Sequence, residues 1–167
     1  VDELKEGKEV RVVPNDILLD EVRRLVVEGH PVTIRVKGYS MLPFIIGDID
    51  SVKLVSASAY KVDDIVLAEV GKGHYVLHRI DAITGSAPDD KVTLMGDGNL
   101  LQKEHCLVRH LAGRVETIYH LGKSVDPASS GHRFAVRCWL LLTPVRRWLL
   151  AIYRRTLLKY YLNNYRK

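Results

Sequence analysis

The chain predicts a mostly β protein: a folded antiparallel sheet or barrel with a helix before it and a helical extension after it. Three observations carry this. Short runs of alternating apolar and polar residues recur between turn-forming residues from position 31 to about 120. The stretch before them has helical periodicity. After residue 126 the composition changes to Trp, Leu, Tyr and Arg. The 167 residues thus divide into an N-terminal segment and helix packing on the core (1–30), a β domain (31–125), and a linker with a basic amphipathic helical extension (126–167).

In chain order, Asn15 can cap a helix running to about Glu28, with Ile17, Leu18, Val22, Leu25 and Val26 on one face and Gly29 as its stop. Residues 31–37 alternate Val32, Ile34 and Val36 against Thr33, Arg35 and Lys37, a half-buried strand. Gly47-Asp48 turns the chain into a strand at 49–55, and a Ser- and Ala-rich loop leads through Tyr60 to Asp63-Asp64. Strands at 65–70 and 74–80 are joined by Gly71-Lys72-Gly73, whose chemistry is that of a hairpin turn. A polar loop at 84–90 follows, and residues 92–95 and 113–120 read as the last two strands. Residues 126–131 form the linker, and Pro144 divides the extension into two helices.

Charge is unevenly spread. The net is +5, yet residues 131–167 hold nine Lys or Arg and no acid, which leaves 16 basic against 20 acidic residues in the first 130. Cys106 and Cys138 are too few for a disulfide framework and badly spaced for zinc, so a reducing compartment is the simpler reading. His74, His105, His110 and His120 lack metal spacing, and no metal or cofactor is expected. No run reaches about 18 uninterrupted apolar residues, so no membrane-spanning helix is predicted. The basic extension leaves two fates open. Its helices can lie on an anionic membrane surface, with Trp139, Arg146, Arg147, Trp148, Arg154 and Arg155 as the contact residues. Alternatively they pack on the sheet or on a second subunit as a homo-oligomer contact. Nucleic acid fits the charge but not the dense Leu and Trp. The expected location is the cytoplasm or the periphery of a membrane.

The residues that carry chemistry stand at strand ends. Ser40 lies in Gly38-Tyr39-Ser40-Met41-Leu42-Pro43, His78 in an alternating strand, and Asp97 in Gly96-Asp97-Gly98-Asn99. A Ser hydroxyl needs a nearby base to become a nucleophile, and imidazole accepts a proton near neutral pH. A carboxylate on the far ring nitrogen would fix the tautomer. Gly38 lets substrate approach the backbone, the Ser40 N–H can serve as an oxyanion donor, and Met41 reads as pocket or core lining. Lys53 and Lys61 lack the strand context of a base.

These motifs in order, with Gly47-Asp48, Tyr60, Asp64-Ile65-Val66, His78-Arg79-Ile80 and Gly113-Arg114-Val115, resemble the signal peptidase superfamily, which includes the self-cleaving domain of the LexA repressor. The resemblance covers roughly residues 31–118. Its bacterial signal peptidases and LexA-like members use a Lys base; His78 at the matching position is similar to the archaeal and endoplasmic-reticulum type. The resemblance implies a signal-peptidase-like fold and a serine endopeptidase acting on an extended peptide or protein segment, with small side chains preferred at the first and third positions before the cut. Ser40 would be nucleophile, His78 base, Asp97 the supporting carboxylate, and Gly38, Met41 and Pro43 the substrate and oxyanion side. The further Asp residues usual in that type are missing after Asn99. A LexA-like self-cleaving domain and an inactive peptide-binding module are the alternatives.

Overall fold

The structure, a computed structural model, describes residues 15–85 and 89–165. Helix α1 (Asn15–Val27) buries Val22 and Val26 against the sheet, at the register that its apolar spacing predicts. A capping role for the Asn15 side chain falls outside the described residues. Eight strands follow: β1 (Val32–Arg35), β2 (Ser51–Val55), β3 (Ile65–Gly71), β4 (His74–Thr84), β5 (Lys91–Met95), β6 (Lys103–Leu107), β7 (Leu111–His120) and β8 (Lys123–Val125). Every pairing is antiparallel, in the order β1-β2-β7-β3-β4-β5-β6, with β8 added to β7. The fold is therefore mostly β, with helices before and after the sheet.

Period-two alternation divides the apolar residues between two cores. Ile65, Leu67, Val52, Leu54, Val115 and Ile118 pack with α1, whereas Val66, Ala68, Ile80, Val92, Leu94 and Cys106 form a second cluster. Residues 39–49 are a turn-rich segment. Gly47 is required there, because a Cβ at this position would lie 1.9 Å from the Gly38 carbonyl oxygen. Asp50, fully buried, closes the segment. One carboxylate oxygen accepts the Ile46 N–H at 2.7 Å and the other meets His120 Nδ1 at 2.7 Å.

Two strands differ from the sequence reading. β6 lies between the strands expected at 92–95 and 113–120, and β8 follows the latter. Both are short and mostly exposed; only Cys106 of β6 is buried, so the apolar alternation that identifies the other strands is faint.

The extension folds as three helices, α2 (Ser130–Leu141), α3 (Thr143–Arg155) and α4 (Leu157–Tyr165), where Pro144 predicted two. Pro144 opens α3 as expected. The second break falls at Thr156, a position without a Gly or Pro signal, where the hydroxyl donates back to the Ile152 carbonyl at 2.8 Å. These helices dock on the 39–49 segment: Leu150 and Leu158 pack on Leu42 and Ile46, with Trp139, Tyr153 and Tyr161 around them. The membrane-contact role expected of Trp139 and Arg146 is accordingly corrected. Trp139 Nε1 donates to the Asp97 carbonyl at 2.8 Å. Arg146 is 1% exposed and donates to the Asn99 carbonyl at 2.5 Å. Helical period sets this, since Arg146, Leu150 and Tyr153 share the inward face of α3. Arg147, Trp148, Arg154 and Arg155 face solvent. No helix among the described residues is long and apolar enough to cross a membrane.

Candidate active site

The turn after β1 brings Ser40 against β4. Its Oγ lies 2.8 Å from His78 Nε2, and His78 Nδ1 lies 2.9 Å from a carboxylate oxygen of Glu104 on β6. An ionised carboxylate only accepts hydrogen bonds, so Nδ1 carries the proton and its N–H donates a hydrogen bond to Glu104. Nε2 is then left with a free lone pair, and the Ser40 hydroxyl donates to it. This is the tautomer in which imidazole can take the serine proton. His78 is buried and Glu104 nearly so. Gln102 donates to the other Glu104 oxygen at 3.3 Å.

Asp97, expected as the supporting carboxylate, does not touch His78. Its two oxygens accept the Arg79 Nε and guanidinium N–H groups, each at 2.8 Å, in a buried bidentate pair. The pleat explains the correction. His78 and Arg79 are neighbours on β4 and point to opposite faces, so a carboxylate serving one is turned away from the other. Glu104 reaches His78 because Glu104, Leu94 and Ile80 stand in one row across β6, β5 and β4, with His78 two residues along on the same face. Within β6, Glu104 and Cys106 turn inward while Lys103 and His105 are exposed. That alternation is one of burial and not of residue type, so the sequence of β6 carries only a faint signal for Glu104.

The motif around Asp97 has another role. The Gly98 N–H donates to the Ser40 carbonyl at 2.7 Å. A Cβ on Gly96 would come within 2.4 Å of that carbonyl and 3.1 Å of His78 Nε2. The 96–99 loop is thus a brace behind the Ser-His pair, fixed on one side by Arg79 and on the other by Trp139 and Arg146.

In front of the pair is a cavity of about 140 Å³ lined by Val36, Lys37, Gly38, Ser40, Met41, Tyr75, Val76, Leu77 and His78. Gly38 and Met41 are among its lining residues. Pro43 does not line this cavity; it lies in the turn that follows, after a cis peptide bond. Residues 74–78 of β4 pair with β3 on one side, whereas pairing with β5 begins only at Arg79, so the other edge of that stretch is open among the described residues.

Three nearby groups titrate away from their ordinary values. Burial lowers the His132 imidazole, with Arg79 adding to the effect. Burial raises the Asp50 carboxyl, against the opposing Ile46 N–H and His120. Burial pushes the Cys106 thiol up to about 11, which keeps it protonated and a poor nucleophile.

Family models, curated proteins and solved structures yield no match to this chain.

Proposed function

We propose that this protein is a serine endopeptidase of the signal-peptidase type, with Ser40 as nucleophile, His78 as general base and Glu104 orienting the imidazole. The observation that carries this reading is the unbroken relay from Ser40 Oγ to His78 Nε2 at 2.8 Å and from Nδ1 to Glu104 at 2.9 Å. Both distances are within hydrogen-bond reach for a nucleophile, its base and an orienting group. The ordered motifs from Ser40 to Val115 and the antiparallel sheet are consistent with a signal-peptidase-like fold.

Ser40 Oγ attacks a peptide carbonyl carbon as His78 Nε2 takes its proton. The negative oxygen of the tetrahedral intermediate is met by the Ser40 N–H. Its collapse breaks the C–N bond, and His78 gives the proton to the leaving amine. Water, deprotonated by His78, then cleaves the acyl ester and restores Ser40. An extended substrate would lie against the open edge of residues 74–78, its main chain paired and its side chains presented to the cavity. The cavity is small and bordered by Val36, Met41, Val76 and Leu77, which suits small aliphatic side chains.

The test is a fluorophosphonate probe, read by intact mass. Wild type should gain one adduct, located on Ser40, and Ser40→Ala should gain none while keeping its circular dichroism. A wild-type protein that stays unlabelled, or equal labelling of the Ala variant, overturns the assignment. Incubating the purified chain alone and weighing it distinguishes cleavage of other chains from self-cleavage.

A further inference from the structure

We propose that the outward face of α3 is a docking surface for an anionic lipid bilayer. The helix has two apolar sides, and the fold uses only one. Inward, Arg146, Leu150 and Tyr153 meet the core. Outward, Val145, Trp148, Leu149 and Ile152 recur at the i, i+3, i+4, i+7 spacing of a continuous stripe, with Trp148 70% and Ile152 61% exposed. A stripe of this kind on a helix already satisfied by its core contacts marks an interaction site.

The charge beside the stripe selects its occupant. Arg155 borders the apolar stripe and Arg147 and Arg154 lie further round the helix; all three are exposed and make no ion pair among the described residues. The whole of residues 131–167 has nine basic residues and no acid to offset them. In a symmetric contact with a second copy, this basic stripe would face itself. Along a nucleic-acid backbone the arginines would find phosphates, but Val145, Trp148, Leu149 and Ile152 would find nothing apolar. An anionic bilayer satisfies both parts: apolar side chains and the Trp ring enter the headgroup boundary while guanidinium groups meet lipid phosphates.

The surface is also formed in advance. Leu150 packs on the 39–49 segment and Arg146 donates to the Asn99 carbonyl, so α3 is held as a helix before it meets lipid. Docking then avoids the cost of folding a free amphipathic peptide at the interface. The contact set differs from the one the sequence suggests. Arg146 is buried and Trp139 is half-buried and bonded to the Asp97 carbonyl, and Val145, Leu149 and Ile152 take their place.

The test uses the full chain with vesicles of phosphatidylcholine, alone or mixed with phosphatidylglycerol, read by co-sedimentation and by Trp fluorescence. Binding is expected only to the anionic vesicles, weakened by salt, with a blue shift that disappears in Trp148→Phe. Exchanging Arg147, Arg154 and Arg155 together for Gln should lower the partition coefficient roughly a hundredfold at low salt. Trp148→Glu with Ile152→Glu should lower it at least about tenfold. All these side chains are exposed, so circular dichroism should be unchanged. The proposal is overturned if the chain does not bind anionic vesicles, if neutral vesicles bind as well, or if both variant sets bind like wild type. It is also overturned if sedimentation equilibrium finds a dimer that the Glu variant abolishes while vesicle binding persists, since the stripe would then belong to a second copy.

Discussion

Replacing Glu104 by Gln keeps the side chain's size and removes its charge. In the transition state His78 becomes an imidazolium whose Nδ1 sits 2.9 Å from that carboxylate. With charge centres about 4 Å apart and an effective dielectric of about 20, the attraction lost is about 4 kcal/mol. At about 1.4 kcal/mol per decade, that is roughly a thousandfold in rate. The amide can also donate to Nδ1, which favours the wrong tautomer and adds to the loss. The assay is the second-order rate of phosphonylation at Ser40 near neutral pH, followed by intact mass, which requires no knowledge of the natural substrate. A Glu104→Gln variant that labels within tenfold of wild type, with an unchanged melting temperature, would refute the relay. Asp97→Asn is the contrasting arm. It strips the buried Arg79 of its carboxylate, which should cost about 3–5 kcal/mol of stability and lower the melting temperature by on the order of 10 °C. Labelling of the folded fraction should stay within tenfold. The opposite pattern would return Asp97 to the catalytic relay.

Gly96→Ala should slow labelling by on the order of a hundredfold, since its Cβ would intrude on the Ser40 carbonyl and on His78 Nε2; an unchanged rate would mean that the brace yields freely. Burial depresses the His132 imidazole below its ordinary 6.5, so the neutral ring stabilises the fold fully above that value and the contribution is lost as pH falls through the folded value. The wild-type melting temperature should therefore fall more steeply below about pH 6.5 than that of His132→Phe, and parallel slopes in thermal melts would contradict this. Arg146→Met should cost less than about 1.5 kcal/mol in denaturant unfolding, because an apolar side chain of similar reach relieves a buried charge whose Nε has no partner among the described residues. A loss above about 3 kcal/mol would show that the bond to the Asn99 carbonyl outweighs the cost of burying the charge.

Much of this protein is legible along the chain, because the features concerned are local. Alternation at 31–37 and 74–80 sets the strands before Ser40 and through His78, and the apolar spacing of α1 sets its buried face. The glycines at 47, 96 and 98 stand where backbones approach closely, and Gly38 takes a positive φ. Which carboxylate serves His78 is a different kind of fact. Asp97 sits in the more conspicuous motif, yet the pleat hands it to Arg79, while Glu104 arrives from an edge strand too polar to advertise itself. The extension divides the same way. Its composition announces amphipathic helices, but only docking against Leu42 and Ile46 decides that Trp139 and Arg146 turn inward while Trp148 and Ile152 stay outside. Sequence fixes periodicity, and periodicity fixes which residues share a face. What that face meets depends on neighbours distant in the chain, and only their packing chooses among them.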